Sequence, residues 1–400
     1  MMQRQDDLAK ITCVVDDHVL AALNAALQTL EIPEVYLQRA KQVMLVDHAR
    51  FLGLHTYTTP EENRAALCRF YVPRQFQTGV MRQITEALDL YLPGRGSIYA
   101  KEVTLLRRTP LEFNTKLLTE LCGEAKPEPT NYDVLACIVQ RGAAAAIAAA
   151  ILEMGLSVPL ISFAAGMGGR DRMGLLRITV PVDKEIMYFL APRHDAELLK
   201  GIIERKARLD LPGHGFLYQY HVNALAVNLR VRRGNRTSAA TMEQIITALD
   251  QLRGSSEWRR LGVTPVKKEI KEIKEYGKEA FSNFSLIIDE GLLTPYVQTA
   301  LRSGAGGATR MPLIFQSYAK KKDENALASG SKEVCDLVVP QMVSEMLAQN
   351  IKDTDFFTRP EAGMIEITSV HGTITYTGKD RVRGQFGGRN LFALLRKTKN

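Results

Sequence analysis

The sequence has no run of about 18 uncharged apolar residues, the length that a membrane-spanning helix needs. Its first residues, MMQRQDD, contain no apolar segment long enough for a signal peptide. We therefore expect a cytoplasmic protein. The chain has 400 residues, of which 46% are hydrophobic, so it can bury several cores at about 100–200 residues per domain.

Cysteine is also scarce. The five cysteines are odd in number and none forms a C-x-x-C pair, which argues against a disulfide framework and against a zinc knuckle. They are Cys13, Cys68, Cys122, Cys137 and Cys335. Reduced thiols are the simple expectation.

The common sequence signatures of catalysis are absent as well. The chain has no nucleophile elbow, no H-E-x-x-H pair and no G-x-x-x-x-G-K-[ST] loop. His48 and His55 lack a third metal ligand at a recognisable spacing. We therefore predict neither an enzyme nor a metal site.

Positive charge is in modest excess, with 52 lysines and arginines against 44 acidic residues and a net charge of +8. Such a charge permits an anionic partner without identifying one. In residues 266–278 the signs alternate at helical spacing, which is typical of a solvated helix. Residues 379–400 form a basic tail.

The sequence does contain an internal repeat of three windows that align without a gap. The windows begin at Pro73, Pro192 and Pro340. A second proline follows 20 residues later (Pro93, Pro212, Pro360), a glycine 23 residues later (Gly96, Gly215, Gly363) and a valine 30 residues later (Val103, Val222, Val370). Prolines and a glycine in register three times indicate a common structural unit.

Each window predicts a strand, a helix and a strand. The helix is predicted because apolar residues recur four residues apart on one face, at Val80 and Ile84, Leu199 and Ile203, and Leu347 and Ile351. Five residues before each window lie Cys68, Met187 and Cys335. These positions favour buried strand residues over reactive thiols.

A second half precedes each window. Predicted strands at 10–15, 133–139 and 284–288 lead into predicted helices at 18–30, 142–154 and 292–303. Short strands follow near 35–37, 160–163 and 313–316. The order β-α-β-β-α-β therefore occurs three times, which predicts an α+β chain of three ferredoxin-like sandwiches.

These patterns divide the chain into six segments. Repeat one covers 9–108, repeat two 132–233 and repeat three 281–378. A linker with a short helix covers 109–131, a helical linker covers 234–280, and the basic tail covers 379–400. A ferredoxin-like sheet leaves one face open, and three such units can bury those faces around a three-fold axis.

This arrangement resembles the P-II family of signal-transduction proteins over nearly the whole of all three repeats. Members of that family are normally homotrimers of one such unit, with nucleotide in the cleft between neighbours. The resemblance implies an intramolecular pseudo-trimer, for which a monomer is sufficient. It also implies a small anionic effector, an adenine nucleotide such as ATP, ADP, AMP or a cyclic nucleotide.

The family's Gly-Asp-Gly loop between the second helix and the last strand has a match in two repeats. The matching residues are Gly94, Arg95 and Gly96 in repeat one and Gly213, His214 and Gly215 in repeat two. Glycine lets backbone N–H groups turn toward a phosphate because no Cβ blocks the approach. The family lysine that follows is replaced by Ser97 and Phe216. Repeat three keeps one glycine and presents Glu361, so we predict no phosphate there.

Basic residues follow the last strand of each repeat, where the family has residues that reach a neighbour's nucleotide. They are Arg107 and Arg108, Arg230 and Arg232, and Lys379 and Arg381. Arginine can form two parallel hydrogen bonds to phosphate oxygens. The sequence leaves open the alternative that these are ordinary solvated strand ends.

The family's mobile loop, between the second and third strands, corresponds to 41–66, 166–184 and 319–332. At its base, Gly166, Gly168 and Arg170 match the family's Gly-x-Gly-Arg element, which makes repeat two the most intact site. Because this loop contacts transporters or enzymes in the family, the resemblance implies a membrane transporter or a metabolic enzyme as the regulated partner. The family's modified-tyrosine motif is absent, and Tyr57 is more simply an incidental loop residue.

Two other functions remain open at this stage. RNA-recognition modules share the βαββαβ order, but the predicted first strands carry no aromatic residue and no RNP signature is present, so nucleic acid is not the expected partner. The missing lysines also allow a scaffold that has lost its ligand.

Overall fold

The computed structural model describes residues 2–50, 55–92, 94–125, 130–167, 183–211, 213–227, 252, 254, 280–319 and 329–375. The predicted basic tail and nearly all of the predicted helical linker 234–280 lie outside these residues. In the described part, no helix is both long and apolar enough to cross a membrane.

The first unit comprises four strands and two helices, followed by a third helix. Its elements are β1 (Gln3–Asp16), α1 (Leu20–Thr29), β2 (Val35–Arg50), β3 (His55–Pro73), α2 (Gln77–Ala87) and β4 (Gly96–Arg107). The connecting helix α3 (Thr115–Cys122) begins after Asn114, whose side chain accepts a hydrogen bond from Leu117 N and so caps the first turn. The short helix predicted within 109–131 is therefore present.

The second and third units repeat this order. The second contains β5 (Tyr132–Gln140), α4 (Ala144–Glu153), β6 (Leu160–Met167), β7 (Asp183–Pro192), α5 (Arg193–Ala207) and β8 (Gly215–Ala226). The third contains β9 (Phe281–Asp289), α6 (Thr294–Arg302), β10 (Ala308–Gln316), β11 (Ser329–Pro340), α7 (Gln341–Lys352), β12 (Met364–Val370) and β13 (Gly372–Thr375).

The strand order within each unit is the same. In the first unit β4 pairs with β1, β1 with β3, and β3 with β2, all antiparallel. The strand order is therefore β4-β1-β3-β2 in the first unit. It is β8-β5-β7-β6 in the second unit and β12-β9-β11-β10 in the third. A helix follows the first and the third strand of each unit, as in a ferredoxin-like sandwich. The prediction of a chain that combines helices and strands in an α+β fold is confirmed, and the strand pairs within each unit are antiparallel.

The units join through their edge strands. Each of the second strands β2, β6 and β10 pairs with both of the others. In β6 and β10 the two pairings lie at opposite ends of the strand, whereas β2 pairs at its start with β10 and in its middle with β6. The register pairs include Tyr36 with Phe315, Leu160 with Gln42, and Thr309 with Gly166. The fourth strands also join the units: β4 pairs with β8 and β12 pairs with β4, while β13, which follows β12, pairs with β8.

The helical faces predicted by apolar spacing pack on the sheets. Val80, Leu199, Ile84, Ile203, Leu347 and Ile351 are all buried. Three clusters of buried side chains each lie between the helices and sheet that form one unit. A fourth cluster is shared, because the other faces of all three sheets contribute to it, with Tyr71, Tyr188 and Phe281 among its members.

The cysteines lie where the repeat places them. Cys13, Cys68, Cys137 and Cys335 are fully buried strand residues, and Cys13 lies opposite Cys68 in the β1–β3 ladder. Burial raises the pKa of Cys13 to about 12 and that of the half-buried Cys122 to about 11.

We expect a thiol reagent to distinguish Cys122 from the other cysteines. In native protein at pH 8, Ellman's reagent should modify at most one thiol per chain, because the other four are shielded from solvent. Unfolding should expose all five, and Cys122→Ser should remove the thiol that reacts in native protein. Rapid reaction of two or more native thiols would contradict this packing.

The mobile loop predicted at 41–66 is instead a long hairpin, so that prediction is wrong for most of the segment. The β2–β3 ladder runs without interruption from Val35 opposite Phe70 to Arg50 opposite His55. Residues 55–59 are rich in threonine and tyrosine, which favour extended strands. Of the other two predicted loops, 168–182 and 320–328 lie outside the described residues.

Candidate functional site

The predicted glycine loop of the second unit precedes β8. Gly213 has a φ of 74°, in the left-handed region that glycine adopts most readily. Its carbonyl oxygen accepts a hydrogen bond of 3.2 Å from Gln140 Nε2, and His214 N donates to Leu211 O at 3.4 Å. The loop is therefore fixed at the end of the sheet where β5 also ends.

The corresponding loop of the first unit precedes β4. Gly94 has a φ of 79° and Arg95 N donates to Leu92 O at 3.3 Å. Gly96 has a φ of 150°, and an ideal Cβ on it would lie 2.2 Å from Val14 O. A glycine is therefore required at this position for strand packing alone.

The same packing requirement explains the other glycines at this repeat position. An ideal Cβ on Gly215 would lie 2.4 Å from Ile138 O, and one on Gly363 would lie 2.2 Å from the ring of Phe356. The glycine repeated in all three windows is thus accounted for by close contact with neighbouring structure. Phosphate binding is not needed to explain it. Gly94 and Gly213 differ from this glycine because their left-handed φ values, 79° and 74°, favour glycine in these loops.

The end of the third unit meets the glycine loop of the second. Strand β13 pairs with β8, with Thr375 opposite Phe216, and Thr375 Oγ1 lies 3.4 Å from Gly215 O. The predicted cations Lys379 and Arg381 follow β13 in the sequence and lie outside the described residues. Residues 213–215 and the end of β13 therefore lie side by side at the junction of the second and third units.

The end of the second unit likewise meets the glycine loop of the first. Strand β8 pairs with the start of β4, with Ala226 opposite Ile98. The chain then continues toward Arg230 and Arg232, which lie outside the described residues. The end of β8 therefore lies beside the start of β4, next to the glycine loop 94–96 of the first unit.

The end of the first unit meets the third, but its arginine is already paired. Arg107 donates two hydrogen bonds to the Glu34 carboxylate, at 2.7 and 3.0 Å, and lies 3.8 Å from Met364 Sδ. Arg107 therefore contacts the third unit through Met364, and Glu34 of its own unit pairs with its guanidinium. Arg108 is exposed and follows β4.

The glycine loop of the third unit is also internally paired. Arg359 Nη1 donates to Tyr296 Oη at 2.9 Å, and Arg359 Nε lies 3.6 Å from Glu361 Oε2. Tyr296 donates in turn to Asp355 at 2.7 Å. The arginine of this loop already has acidic and phenolic partners, so the cleft between the third and first units is poorly suited to phosphate.

Gly166 lies in β6, opposite Thr309 of the third unit. Gly215 on β8 lies opposite Val139 on β5, which lies opposite Glu185 on β7, which in turn lies opposite Phe163 on β6. Three strand spacings of about 4.8 Å place this edge roughly 14 Å from the glycine loop. The described residues therefore do not bring Gly166 to residues 213–215, and Gly168 and Arg170 lie outside them.

Carboxylates cap two of the turns that lead into helices. Glu185 Oε2 accepts hydrogen bonds from Gly142 N at 2.9 Å and Ala144 N at 3.1 Å, before and at the start of α4. Glu333 Oε1 accepts from Gly291 N at 3.1 Å, before α6. These amides are satisfied internally, so the two turns are not open anion sites.

A cavity of about 30 Å³ lies where the inward sheet faces meet, and residues of all three units line it. Sequence reasoning did not predict this cavity. The first unit contributes the cations Lys10, Arg69 and Lys101. The second contributes the tyrosines Tyr188, Tyr218 and Tyr220. The third contributes the carboxylates Asp336 and Glu366.

Glu366 is the centre of the strongest ionic contact in this cavity. Its carboxylate is fully buried and accepts hydrogen bonds from Lys10 Nζ at 2.6 and 2.7 Å and from Tyr71 Oη at 2.8 Å. Burial alone would raise the pKa of Glu366, but the charges of Lys10 and Lys101 and these hydrogen bonds hold it below its usual value. The carboxylate therefore stays ionised in the folded protein at neutral pH.

Residues at equivalent repeat positions meet around the cavity. Lys101, Tyr220 and Thr368 each lie 28 residues after the first proline of their windows. Lys101 Nζ donates to Thr368 Oγ1 at 2.9 Å and lies 4.0 Å from the centroid of the Tyr220 ring. Arg69 and Tyr188, another equivalent pair, are joined by a hydrogen bond of 3.0 Å.

Comparison with known proteins adds little to this description. No protein-family model and no curated protein sequence matches the chain. The solved structure of B. subtilis GlnK is 14% identical in sequence, with a TM-score of 0.21. The aligned region covers 25% of this chain and 89% of the GlnK chain. A B. subtilis GlnK–ATP complex is 16% identical with a TM-score of 0.20, over 25% of this chain and 88% of that chain. Likeness at this level does not identify a family, so function rests on the geometry of the chain itself.

Proposed function

We propose that the chain is an intramolecular pseudo-trimer of three ferredoxin-like units that binds a small anionic effector and regulates a partner. The effector class is an adenine nucleotide, and the site is the cleft between the second and third units. A membrane transporter or a metabolic enzyme is the regulated partner, and the chain itself is not an enzyme. The unit boundaries are those of the three sequence repeats.

The cyclic strand pairing supports the pseudo-trimer. Each second strand pairs with both of the others, and the last strands join every unit to the other two through the β4–β8, β8–β13 and β12–β4 pairings. Such a head-to-tail arrangement closes after three steps. One chain therefore contains all the surfaces that a ring of three needs.

The observation that carries the ligand proposal is the meeting of the second unit's glycine loop with the end of β13. Residues 213–215 combine a left-handed Gly213, the polar side chain of His214 and a neighbouring chain end that leads to Lys379 and Arg381. Backbone N–H groups in a glycine turn and cations from a second element are common ligands of phosphate oxygens.

The proposed output is the segment that follows β6. Gly166 at the end of β6 is paired with Thr309 of the third unit, so the segment starts at an inter-unit junction. Effector binding at the cleft between the second and third units changes which arrangement of this segment is populated, although the glycine loop and this edge of the sheet are roughly 14 Å apart. The partner binds one of those arrangements. Residues Gly168 and Arg170 belong to this segment.

The packing of the sheets argues against the RNA-binding alternative. RNA-recognition modules bind bases on an open sheet face that carries exposed aromatic residues. Here Tyr99, Tyr218 and Tyr220 are 4%, 2% and 6% exposed, because the corresponding faces form the shared core. A degenerate scaffold remains the alternative that ligand titration decides.

Isothermal titration of the full chain with ATP, ADP, AMP and cyclic AMP tests the proposal. We expect at least one nucleotide to bind, and Gly213→Ala to weaken it at least tenfold, about 1.4 kcal/mol, by straining the loop. Gly291→Ala is the matched control, since Gly291 has a similar φ of 87° on the turn between β9 and α6. The Gly291→Ala variant should bind the nucleotide with the same affinity as the unmodified chain.

Two results would count against the proposal. Absence of heat from all four nucleotides at millimolar concentration would favour the scaffold. Equal weakening by Gly213→Ala and Gly291→Ala would mean that the ligand site lies elsewhere.

A further inference from the structure

The central cavity carries an excess of positive charge. Lys10, Arg69 and Lys101 line it together with only two carboxylates, Asp336 and Glu366. Lys10 is neutralised by Glu366, and Asp336 accepts a hydrogen bond of 2.6 Å from Ser285. Uncompensated charge away from bulk water is strongly unfavourable, so a counter-charge is required when all five groups are ionised.

Lys101 is the cavity cation with the fewest partners. In the described part of the chain, no carboxylate lies within ion-pair distance of its ammonium, which contacts Thr368 Oγ1 and the ring of Tyr220. Arg69 also has no carboxylate within ion-pair distance among the described residues, but it donates to Gln38 Oε1 at 2.8 Å and to Tyr188 Oη at 3.0 Å. Desolvation, together with the charge of Lys10, lowers the pKa of Lys101 to about 7. Only one of its three N–H groups is used in that hydrogen bond.

A second donor lines the same cavity. Tyr218 lines the cavity with its phenol, and its ring stacks on Phe216 and Tyr220. An ammonium and a phenolic O–H are suitable donors to a small anion.

The size of the cavity limits the ligand. A volume of about 30 Å³ holds roughly two water-sized particles, which excludes a nucleotide or any larger metabolite. Asn283 Oδ1 is buried in the same wall without a hydrogen-bond partner, and a water in the second position would donate to it. One small anion and one water therefore satisfy both the charge and the unpaired acceptor.

We propose that the central cavity binds one monovalent inorganic anion of the size of chloride, held by Lys101 and Tyr218 and accompanied by one water. This site is distinct from the cleft between the second and third units. The anion neutralises the charge that Lys101 brings into the shared core and thereby stabilises the contact among the three units.

Anion binding should weaken as pH rises through about 7, because the neutral amine of Lys101 no longer attracts the anion. The other ionisable groups that face the cavity are Lys10, Arg69, Asp336 and Glu366, with the tyrosines Tyr36, Tyr71, Tyr188, Tyr218 and Tyr220. Desolvation holds the pKa of Tyr71, Tyr218 and Tyr220 well above the usual value, so these tyrosines do not titrate in this range.

Thermal unfolding of the full chain at pH 6, in sodium chloride against sodium gluconate at equal ionic strength, tests the site. We expect a saturable rise of several degrees in Tm with chloride, reduced at pH 9. Lys101→Met should fold and lose the chloride dependence, since it removes the cation that holds the anion. Lys352→Met is the control: it changes an exposed lysine at the end of α7, and this variant should keep the chloride dependence of Tm.

Tyr218→Phe provides a second variant that keeps the shape of the core. It should weaken chloride binding and so raise the half-maximal chloride concentration several-fold. Crystals grown in bromide should show one anomalous peak beside Lys101 Nζ that Lys101→Met removes. A chloride response that is absent from the unmodified chain, or one that persists in Lys101→Met, would overturn the proposal.

Discussion

Glu366→Gln should lower the free energy of unfolding by about 3–5 kcal/mol, the usual effect of removing one partner from a buried ion pair. The substitution leaves the Lys10 ammonium without its two short hydrogen bonds to carboxylate, beside the charges of Arg69 and Lys101. Chemical denaturation at pH 7, monitored by circular dichroism, gives the difference.

Glu62→Gln is the matched control for this measurement. Glu62 accepts a hydrogen bond of 2.6 Å from Lys41, but both side chains are more than 40% exposed. An exposed pair contributes about 0–1 kcal/mol, so this variant should be close to the unmodified chain. Adding Lys10→Met to Glu366→Gln should restore part of the loss. Equal effects of Glu366→Gln and Glu62→Gln would contradict the buried network.

Gly96→Ala should lower the free energy of unfolding by about 2–4 kcal/mol, combining overpacking with an unfavourable backbone conformation. The new Cβ would lie 2.2 Å from Val14 O, so β1 and β4 would have to separate at that point. Denaturant unfolding of the purified variant gives the magnitude.

Gly201→Ala is the control, and it should act in the opposite direction. Gly201 lies within α5, and nothing is within 4 Å of an ideal Cβ there. Alanine is favoured over glycine in a helix by about 0.5–1 kcal/mol, so this variant should be more stable. A Gly96→Ala variant as stable as the unmodified chain would mean that the close β1–β4 contact is misplaced.

Much of the fold could be predicted because apolar periodicity and the repeat agree. Ile84, Ile203 and Ile351 identified one buried helical face three times, and their positions in α2, α5 and α7 confirm it. The prolines that begin each window lie at the junctions between a strand and the following helix, where a missing N–H is tolerated. Local pattern and tertiary packing require the same residues there.

The extent of the first hairpin could not be predicted in the same way. Residues 41–66 include many charged and polar residues. They do not alternate between apolar and polar along the whole segment, which is the pattern that would predict a strand of that length. The ladder between β2 and β3 instead follows from register, since the pairing that begins at Val35 and Phe70 continues outward. Resemblance to a family with a mobile loop at this position favoured the wrong interpretation.

The central cavity was missed because its residues differ among repeats. Lys101, Tyr220 and Thr368 occupy one aligned position, and a search for shared residues passes over such a column. The useful signal was a polar residue within a β-rich run in every copy, as in YAKEV and MIEITSV. An aligned position that holds a polar residue in all three repeats, but a different one in each, indicates residues that meet at a shared axis.

A single chain permits this arrangement, whereas three identical chains do not. In a homotrimer the residue equivalent to Lys101 would face two copies of itself, and three buried ammonium groups would repel one another. In this chain Lys101 meets Thr368 and Tyr220 instead. The ends of the units differ in the same way, because Arg107 pairs with Glu34 and Arg359 donates to Tyr296.

Native mass spectrometry of the full chain in millimolar ATP tests most directly whether one chain forms a ring with unequal sites. The cyclic strand pairing and the internally paired third cleft predict one or two nucleotides per chain, with Gly213→Ala losing one of them. Three nucleotides per chain would show that the clefts are equivalent. Chains that carry no nucleotide at any concentration would contradict the regulatory function.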